Sequence, residues 1–464
     1  MFTTTVLNGH YGQDKLKKHP MKTQLHSILF AGLSFFAGQS MFAQVAMIPN
    51  RGCGSMEYKE MEEKANPSIK ALRAQIDDQV RDYIANQKNN PTPTPQAVIT
   101  MPIVFHVVYN GAAENVSDNC IAQTLISLNK DFRKQNTDFT TKTPAVFQPL
   151  GADCEVQFCM ASKDPTGAAT NGITRTATTV NGFTTDNKVK YTAQGGHDVW
   201  DRTKYVNLWI CNLSGTLLGY GQLPGGSAAT DGVVCHYKYL VATGGCGALP
   251  YEKGRTTVHE LGHWFGLKHT FQGGCGGTSS SNCTTGGDGV CDTPPVSVSS
   301  YGCPATQNTC TETSPFPPPF TSDQNDMTMN YMDYTDDACM VMFTTGQKAI
   351  ITATMNGTRA SLKTSAAANC AAGNGVNELG LGNYVSIFPN PSTGNFSMNI
   401  TLPHVTSADM VIYNALGEAV LEKKISIPAG NNVDVDMNNH PEGMYLIKMK
   451  ISEGTITKKI VISR

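Results

Sequence analysis

The run TTVHELGHWFGLKHT (256–270) holds histidines and a glutamate at spacings that can do chemistry. His259 and His263 are four residues apart, so on a helix both imidazoles leave one face. Val258, Leu261 and Phe265 fall on the opposite side and can anchor that helix to a core. Gly266 can take the positive φ that ends a helix and swings the chain back, returning His269 as a third nitrogen ligand. Three protein ligands suit a zinc ion whose fourth position stays open to water. Glu260 directly follows the first ligand and would reach that water rather than the metal. Zinc lowers the pKa of such a water to about 7, and the carboxylate takes its proton as it attacks a carbonyl carbon. A buried helix with satisfied histidines, or a capping box from Thr257 to Glu260, explains some of these residues but not all of them at fixed offsets. His106 and His236, by contrast, read as structural.

The rest of the chain must position this helix. Its 464 residues, 16% charged with a formal net charge of −2, suggest two or three domains and give no reason to expect nucleic acid as a partner. Fourteen cysteines point to an oxidising compartment. From Met21, a short basic start, the apolar run ILFAGLSFFAG and Ala43 before Gln44 read as a signal peptide, so residues 1–43 form a leader. Residues 44–96 follow as a separate segment. Within it, Ser68 is expected to cap an amphipathic helix through Ile69, Leu72, Ile76, Val80 and Tyr83, and NNPTPTPQ (89–96) reads as an exposed linker. VITMPIVFHVVYN then opens an α/β unit, 97–372, with one helix (IAQTLISLNKDFRKQN) and the strands EVQFCMA and KYVNLWICNL. A Gly, Ser, Pro and Cys-rich stretch at 272–325 needs pinning. After a linker at 373–383, residues 384–464 alternate in short strands about ten residues apart, the pattern of a small β-sandwich. One feature fits none of these elements: Cys53 stands between Gly52 and Gly54, far from any other cysteine.

The motif resembles the long HExxHxxGxxH motif of the metzincin metallopeptidases, matched at every fixed position. NYMDYTDDACMVMFTTGQ (330–347) is similar to the Met-turn of the pappalysin family, as are VVYN, LNKDFRKQN, GITRT, WICNLSGTLLGYGQLPGG and TDGVV upstream. The resemblance covers roughly residues 98–355. It implies an α+β metzincin fold, with a mixed twisted sheet and an active-site helix, and peptide-bond hydrolysis on protein or peptide substrates. It further implies Met332 under the zinc and Tyr334 as the donor that holds the oxyanion. Asp337 matches an acid in the pocket that selects substrates cut before Lys or Arg; Asp336 and Asp337 are adjacent, and a simply solvated carboxylate is the alternative for either. A structural calcium is implied at Asp288, with Cys291 and Thr293 offering backbone carbonyls. Disulfides Cys283–Cys310 and Cys303–Cys339 follow from the same likeness, leaving Cys275 and Cys291 for a third.

Cys53 then takes a role. Relatives of this kind keep a pro-segment cysteine on the active-site zinc, where a thiolate would displace the catalytic water. Gly52 and Gly54 let the backbone enter a narrow cleft. A disulfide with a downstream cysteine is the alternative, and parity leaves one further thiol unpaired. Lys88, beside the exposed linker, is the expected activation site if the enzyme processes itself.

The last 80 residues, with FPNPSTGNF, YNALGE, PEGMYLIKM and KKIVISR, resemble the type A sorting domain of the type IX secretion system. That implies the secretion machinery as partner through residues 384–464, and passage across a Gram-negative outer membrane to release or surface anchoring. A binding sandwich is the alternative. For the whole chain, a surface adhesin using the peptidase fold as scaffold, or a zinc hydrolase of a non-peptide bond, are the competing functions. The intact Glu260 argues against the scaffold.

Overall fold

The computed structural model describes residues 51–89, 97–370, 385–400, 407–426, 432–451 and 454–464. The leader and signal peptide, the cut before Gln44, residues 90–96 of the Pro-rich linker and the linker at 373–383 lie outside the described residues. Residues 51–89 form β1 (Gly52–Cys53), α1 (Ser55–Ala65) and α2 (Pro67–Asn89). The sequence did not announce α1. Asn66, not Ser68, starts α2: its side-chain oxygen accepts from the Ser68 backbone N–H at 3.2 Å. Pro67 can occupy the first turn because its missing N–H would be unpaired there anyway.

The α/β unit contributes β2 (Ile99–Tyr109), α3 (Asp118–Phe132), the single turn α4 (Phe139–Lys142), β3 (Val156–Met160), β4 (Ile173–Ala177) and β5 (Val206–Cys211). It continues with β6 (Leu217–Gly221), β7 (Val233–His236), α5 (Arg255–Trp264), α6 (Thr345–Asn356) and α7 (Ala366–Asn369). One sheet runs β1-β6-β7-β5-β2-β3, with β4 also paired to β2. β2, β3, β5 and β7 are parallel and β6 is antiparallel to β7, giving a mixed sheet. Eight consecutive residues of β2 are buried, as expected for a central strand covered on both faces. Helices α3 and α5 cover one face through Leu125, Leu128, Phe132, Val258, Leu261 and Phe265. Tyr58 of α1 joins Trp209, Val234 and Tyr220 on the other. His106 is fully buried in β2 between Thr174 and Asn207, which satisfies both ring nitrogens, and His236 accepts the Lys238 N–H.

Five disulfides staple this unit: Cys120–Cys246, Cys159–Cys370, Cys275–Cys310, Cys283–Cys291 and Cys303–Cys339. The expected Cys303–Cys339 bridge is present. Cys283–Cys310 and Cys275–Cys291 are replaced by the exchanged pairing. The reason is the turn between Cys283 and Cys291, where Gly287 and Gly289 take positive φ and fold the chain back. Their Cα atoms come to 4.9 Å and those of Cys275 and Cys310 to 5.4 Å, both within disulfide reach. Besides Cys53, three thiols rather than one stay free, Cys154, Cys211 and Cys235, all buried. Cys211 and Cys235 lie on paired strands one register step apart, so they face opposite sides of the sheet and do not meet.

Residues 385–464 give strands β8 (Val385–Phe388), β9 (Asn395–Ile400), β10 (Ser407–Tyr413), β11 (Ala419–Ser426), β12 (Asn432–Asp436), β13 (Gly443–Ile451) and β14 (Gly454–Ile462). They form sheets β11-β10-β13-β14 and β12-β9-β8 over one core, with Met410, Ile412, Ile447 and Ile460 facing Phe396, Met398 and Val435. Strand β11, AVLEKKIS, had no alternating apolar pattern to reveal it. Among the described residues no helix is long and apolar enough to cross a membrane.

Candidate active site

All ten residues of α5 are buried, and Gly254, at φ +76, starts the helix without a side-chain cap. The capping box from Thr257 is therefore not formed. Gly262 faces Met332, where any Cβ would collide with the thioether sulfur, so the Met-turn packs directly under the helix. Gly266 adopts φ +98 and the Leu267 N–H returns to the Gly262 carbonyl at 2.9 Å, which brings His269 back beside the helix.

The three imidazoles meet. His263 Nε2 lies 3.2 Å from His259 Nε2 and 3.0 Å from His269 Nε2. The Nδ1 atoms of His259 and His263 face the carbonyls of Tyr331 and Leu267 at 2.6 and 2.8 Å, so each donates there and turns an unprotonated Nε2 inward. Burial holds His263 down to about 4, and His259 and His269 well below the ordinary histidine range. Inward lone pairs this close repel one another unless a cation lies between them. Tetrahedral zinc, with Zn–N near 2.0–2.1 Å, places ligand nitrogens about 3.3 Å apart, so the donor set fits that ion. Cys53 Sγ completes the group, and the four ligand atoms all lie within 4.8 Å of one another.

Glu260 is fully buried beside this group. Its Oε2 accepts from Ser55 Oγ at 2.8 Å and from Cys53 Sγ at 3.3 Å. Burial pushes its carboxyl up to about 7. Strand β6 allows the close approach, since a Cβ at Gly219 would come 2.8 Å from Glu260 Cγ. Ser55 Oγ also accepts the Gly221 N–H at 2.8 Å, which ties the N-terminal segment, β6 and the glutamate together. The glycines flanking Cys53 are explained the same way: a Cβ at Gly52 would lie 2.7 Å from the Thr216 carbonyl, and one at Gly54 2.8 Å from Thr185. With them, β1 runs parallel along β6. The Tyr334 hydroxyl reaches the Cys53 carbonyl at 3.4 Å, and its ring lies 4.9 Å from that of His269.

Asp337 is fully buried, whereas Asp336 is partly exposed. Asp337 Oδ2 accepts the backbone N–H groups of Lys253 and Arg255 at 2.9 and 3.1 Å, at the positive N-terminus of α5. Oδ1 receives the guanidinium of Arg51, which also lies over the Tyr251 ring, 4.7 Å from its centroid. Arg255 braces this acid: it donates to the Asp337 carbonyl and to Asp131 and Asp138, and Asp131 in turn accepts from Tyr331 Oη at 2.7 Å. Reading by sequence missed Arg51, Ser55 and Tyr251. Arg51 alone could have been found, because it stands two residues before Cys53 and complements an acid already singled out.

In the glycine turn, Asp288 Oδ1 accepts the Val290 N–H at 2.9 Å and Thr293 Oγ1 lies 2.7 Å from Oδ2. Burial and the neighbouring Asp292 push Asp288 up to about 7. Cys291 is spent on its disulfide through sulfur, which leaves its carbonyl free of that role.

Residues 189–356 match the sequence family described as pregnancy-associated plasma protein-A, and residues 386–463 match secretion-system C-terminal sorting domains. An extracellular metalloprotease of Neurospora crassa is 32% identical over 279 residues, covering 58% of this chain and 79% of that protein. Mature mirolysin of Tannerella forsythia, solved in complex with a cleaved peptide, is 39% identical with a TM-score of 0.52, covering 60% of this chain and 100% of the other. A promirolysin mutant of the same organism is 36% identical with a TM-score of 0.57, covering 69% and 100%. The chain belongs to the pappalysin family of metzincin-type zinc metallopeptidases, and behind that domain it carries a sorting domain of the type IX secretion system.

Proposed function

We propose that this protein is an endopeptidase made in latent form, which hydrolyses peptide bonds on the amino side of Lys or Arg with Glu260 as general base. The observation that carries the reading is the joint placement of Arg51 on Asp337 and Cys53 among the three histidines. One short segment thus fills the specificity pocket and the metal site together. His259, His263 and His269 would hold the zinc, with Cys53 as fourth ligand in the latent chain. When bound, zinc supplies the Lewis acidity that makes water a nucleophile near neutral pH.

The chain's own groups do the rest. Glu260 takes the proton of the attacking water and passes it to the leaving amine. The Tyr334 hydroxyl donates to the oxyanion, in the place where it now meets the Cys53 carbonyl. Met332 supports the helix that carries two ligands. Asp337 binds the basic side chain on its one unspent oxygen, and its partner substrate is a protein or peptide lying along β6. Ser55 blocks Glu260 while Cys53 blocks the metal, so the latch closes the base and the ion separately. Residues 44–96 are the pro-segment, 97–372 the catalytic domain, and 384–464 the address read by the secretion machinery of a Gram-negative bacterium. Lys88 lies in the last turn of α2 with an exposed side chain, so a cut before it requires that turn to unwind.

The cleavage map of a denatured protein mixture tests this reading, with new N-termini read by mass spectrometry. New N-termini begin with Lys or Arg, and Asp337→Asn lowers cutting at those sites about a hundredfold or more, the cost of leaving a buried cation unpaired. A map with no basic preference in the unmutated enzyme would sink the specificity.

Calcium is proposed at Asp288, with the carbonyls of Cys291 and Thr293, because a buried carboxyl in a glycine turn suits a hard cation. Calcium at ten times its Kd then raises the melting temperature of this domain by about two degrees, from about 1.4 kcal/mol of linkage. Asp288→Asn removes that shift. An equal shift in the variant would place the ion elsewhere.

A further inference from the structure

Tyr251 is buried, held edge-on by Tyr239 with ring centroids 5.6 Å apart, and is the only aromatic ring among the described residues on which the Arg51 guanidinium is placed. The loop that carries it is tied to the pocket floor: the Asp337 N–H donates to the Pro250 carbonyl at 3.2 Å, and the Lys253 N–H donates to Asp337 Oδ2. Two hydrogen bonds thus join floor and wall. Asp337 has already spent Oδ2 on two backbone N–H groups, so a basic side chain finds one carboxylate oxygen and one aromatic face. Arg51 Nε and Nη1 meet no protein acceptor there.

That pairing of groups discriminates between the two basic residues. A lysine ammonium is a compact, strongly hydrated charge with three donors, and a single acceptor leaves two of them stripped of water. A guanidinium is planar and weakly hydrated, and it gains from lying flat on a ring. We propose that Tyr251 is a specificity-determining residue that makes this pocket prefer arginine to lysine. The inference rests on the reading of Asp337 as the pocket floor and adds the wall that ranks its two substrates.

The test uses the activated full chain and peptide pairs that differ only in Arg or Lys after the scissile bond. The Arg:Lys ratio of kcat/KM falls about five- to tenfold in Tyr251→Leu, most of it from the arginine substrate, and recovers in Tyr251→Phe, which keeps the face. An unchanged ratio in Tyr251→Leu overturns the proposal. So does an equal fall in Tyr251→Leu and Tyr251→Phe, which would assign the preference to the hydroxyl. Absence of any basic preference in the unmutated enzyme, or its survival in Asp337→Asn, would instead overturn the underlying pocket. Arg51→Lys in the latent chain gives a readout that leaves the pocket intact: its residual activity rises about fivefold. A lysine latch as tight as the arginine one overturns the proposal.

Discussion

Glu260→Gln is expected to lower proteolysis about a thousandfold or more while leaving zinc content unchanged. Glutamine keeps the volume that packs against Gly219 and can still accept the Ser55 hydroxyl, so the helix and the latch persist. It is not one of the four converging ligands, so the metal has no reason to leave. What it loses is the ability to take a proton, and positioned acid–base groups contribute about 10²–10⁴-fold. In the proposed mechanism the same residue serves both attack and departure, which puts the loss at the upper end. Metal analysis beside a peptide assay checks it. Loss of zinc together with activity would mean that Glu260 holds the site rather than the proton.

Cys53→Ala in the unprocessed chain is expected to raise residual activity roughly a hundredfold, the effect of losing one contact worth about 3 kcal/mol. It should nevertheless stay well short of the processed enzyme. The latch has further anchors that the substitution leaves alone. Arg51 remains on Asp337, Ser55 on Glu260, and Tyr58 fully buried with its hydroxyl 2.8 Å from Asn187 Oδ1. Arg73 of α2 also reaches the Pro224 carbonyl at 3.2 Å. Activity of the unprocessed variant equal to that of the processed enzyme would show that the thiol is the whole latch. No rise at all would show that the other anchors suffice without it.

The three converging histidines were legible because their spacing is local. Four residues fix which histidines share a helix face, and Gly266 marks the turn that returns the third. The strands β2, β5 and β9 declared themselves by apolar runs or alternation, while β11, with Glu422, Lys423 and Lys424 in a row, did not. The short helix α1 also stayed hidden: its faces are mostly charged, and it buries Ser55 on β6, Tyr58 on the face of the sheet and Glu62 on Arg73 of α2, none of which its own sequence announces.

Disulfide pairing shows where a borrowed expectation failed. Which of Cys275, Cys283, Cys291 and Cys310 meet depends on the path of a glycine-rich turn, and no periodicity encodes that path. The same holds for the pocket. Asp337 was named from the likeness of its surroundings, but its buried state, its hold on the start of α5 and its pairing with a residue 286 positions earlier required the fold.

By itself, then, the sequence determined the histidine spacing, the place of Glu260 beside the first histidine and the solitary thiol, because each is set by neighbours a few residues away, and its longer likeness over residues 98–355 gave the metzincin class. Only the tertiary structure decided that the thiol faces the three histidines, that Arg51 pairs with Asp337 and that Ser55 donates to Glu260. Those contacts join segments 205 to 286 residues apart, and their geometry is fixed by β6, along which the N-terminal segment of the same chain adds β1 to the sheet.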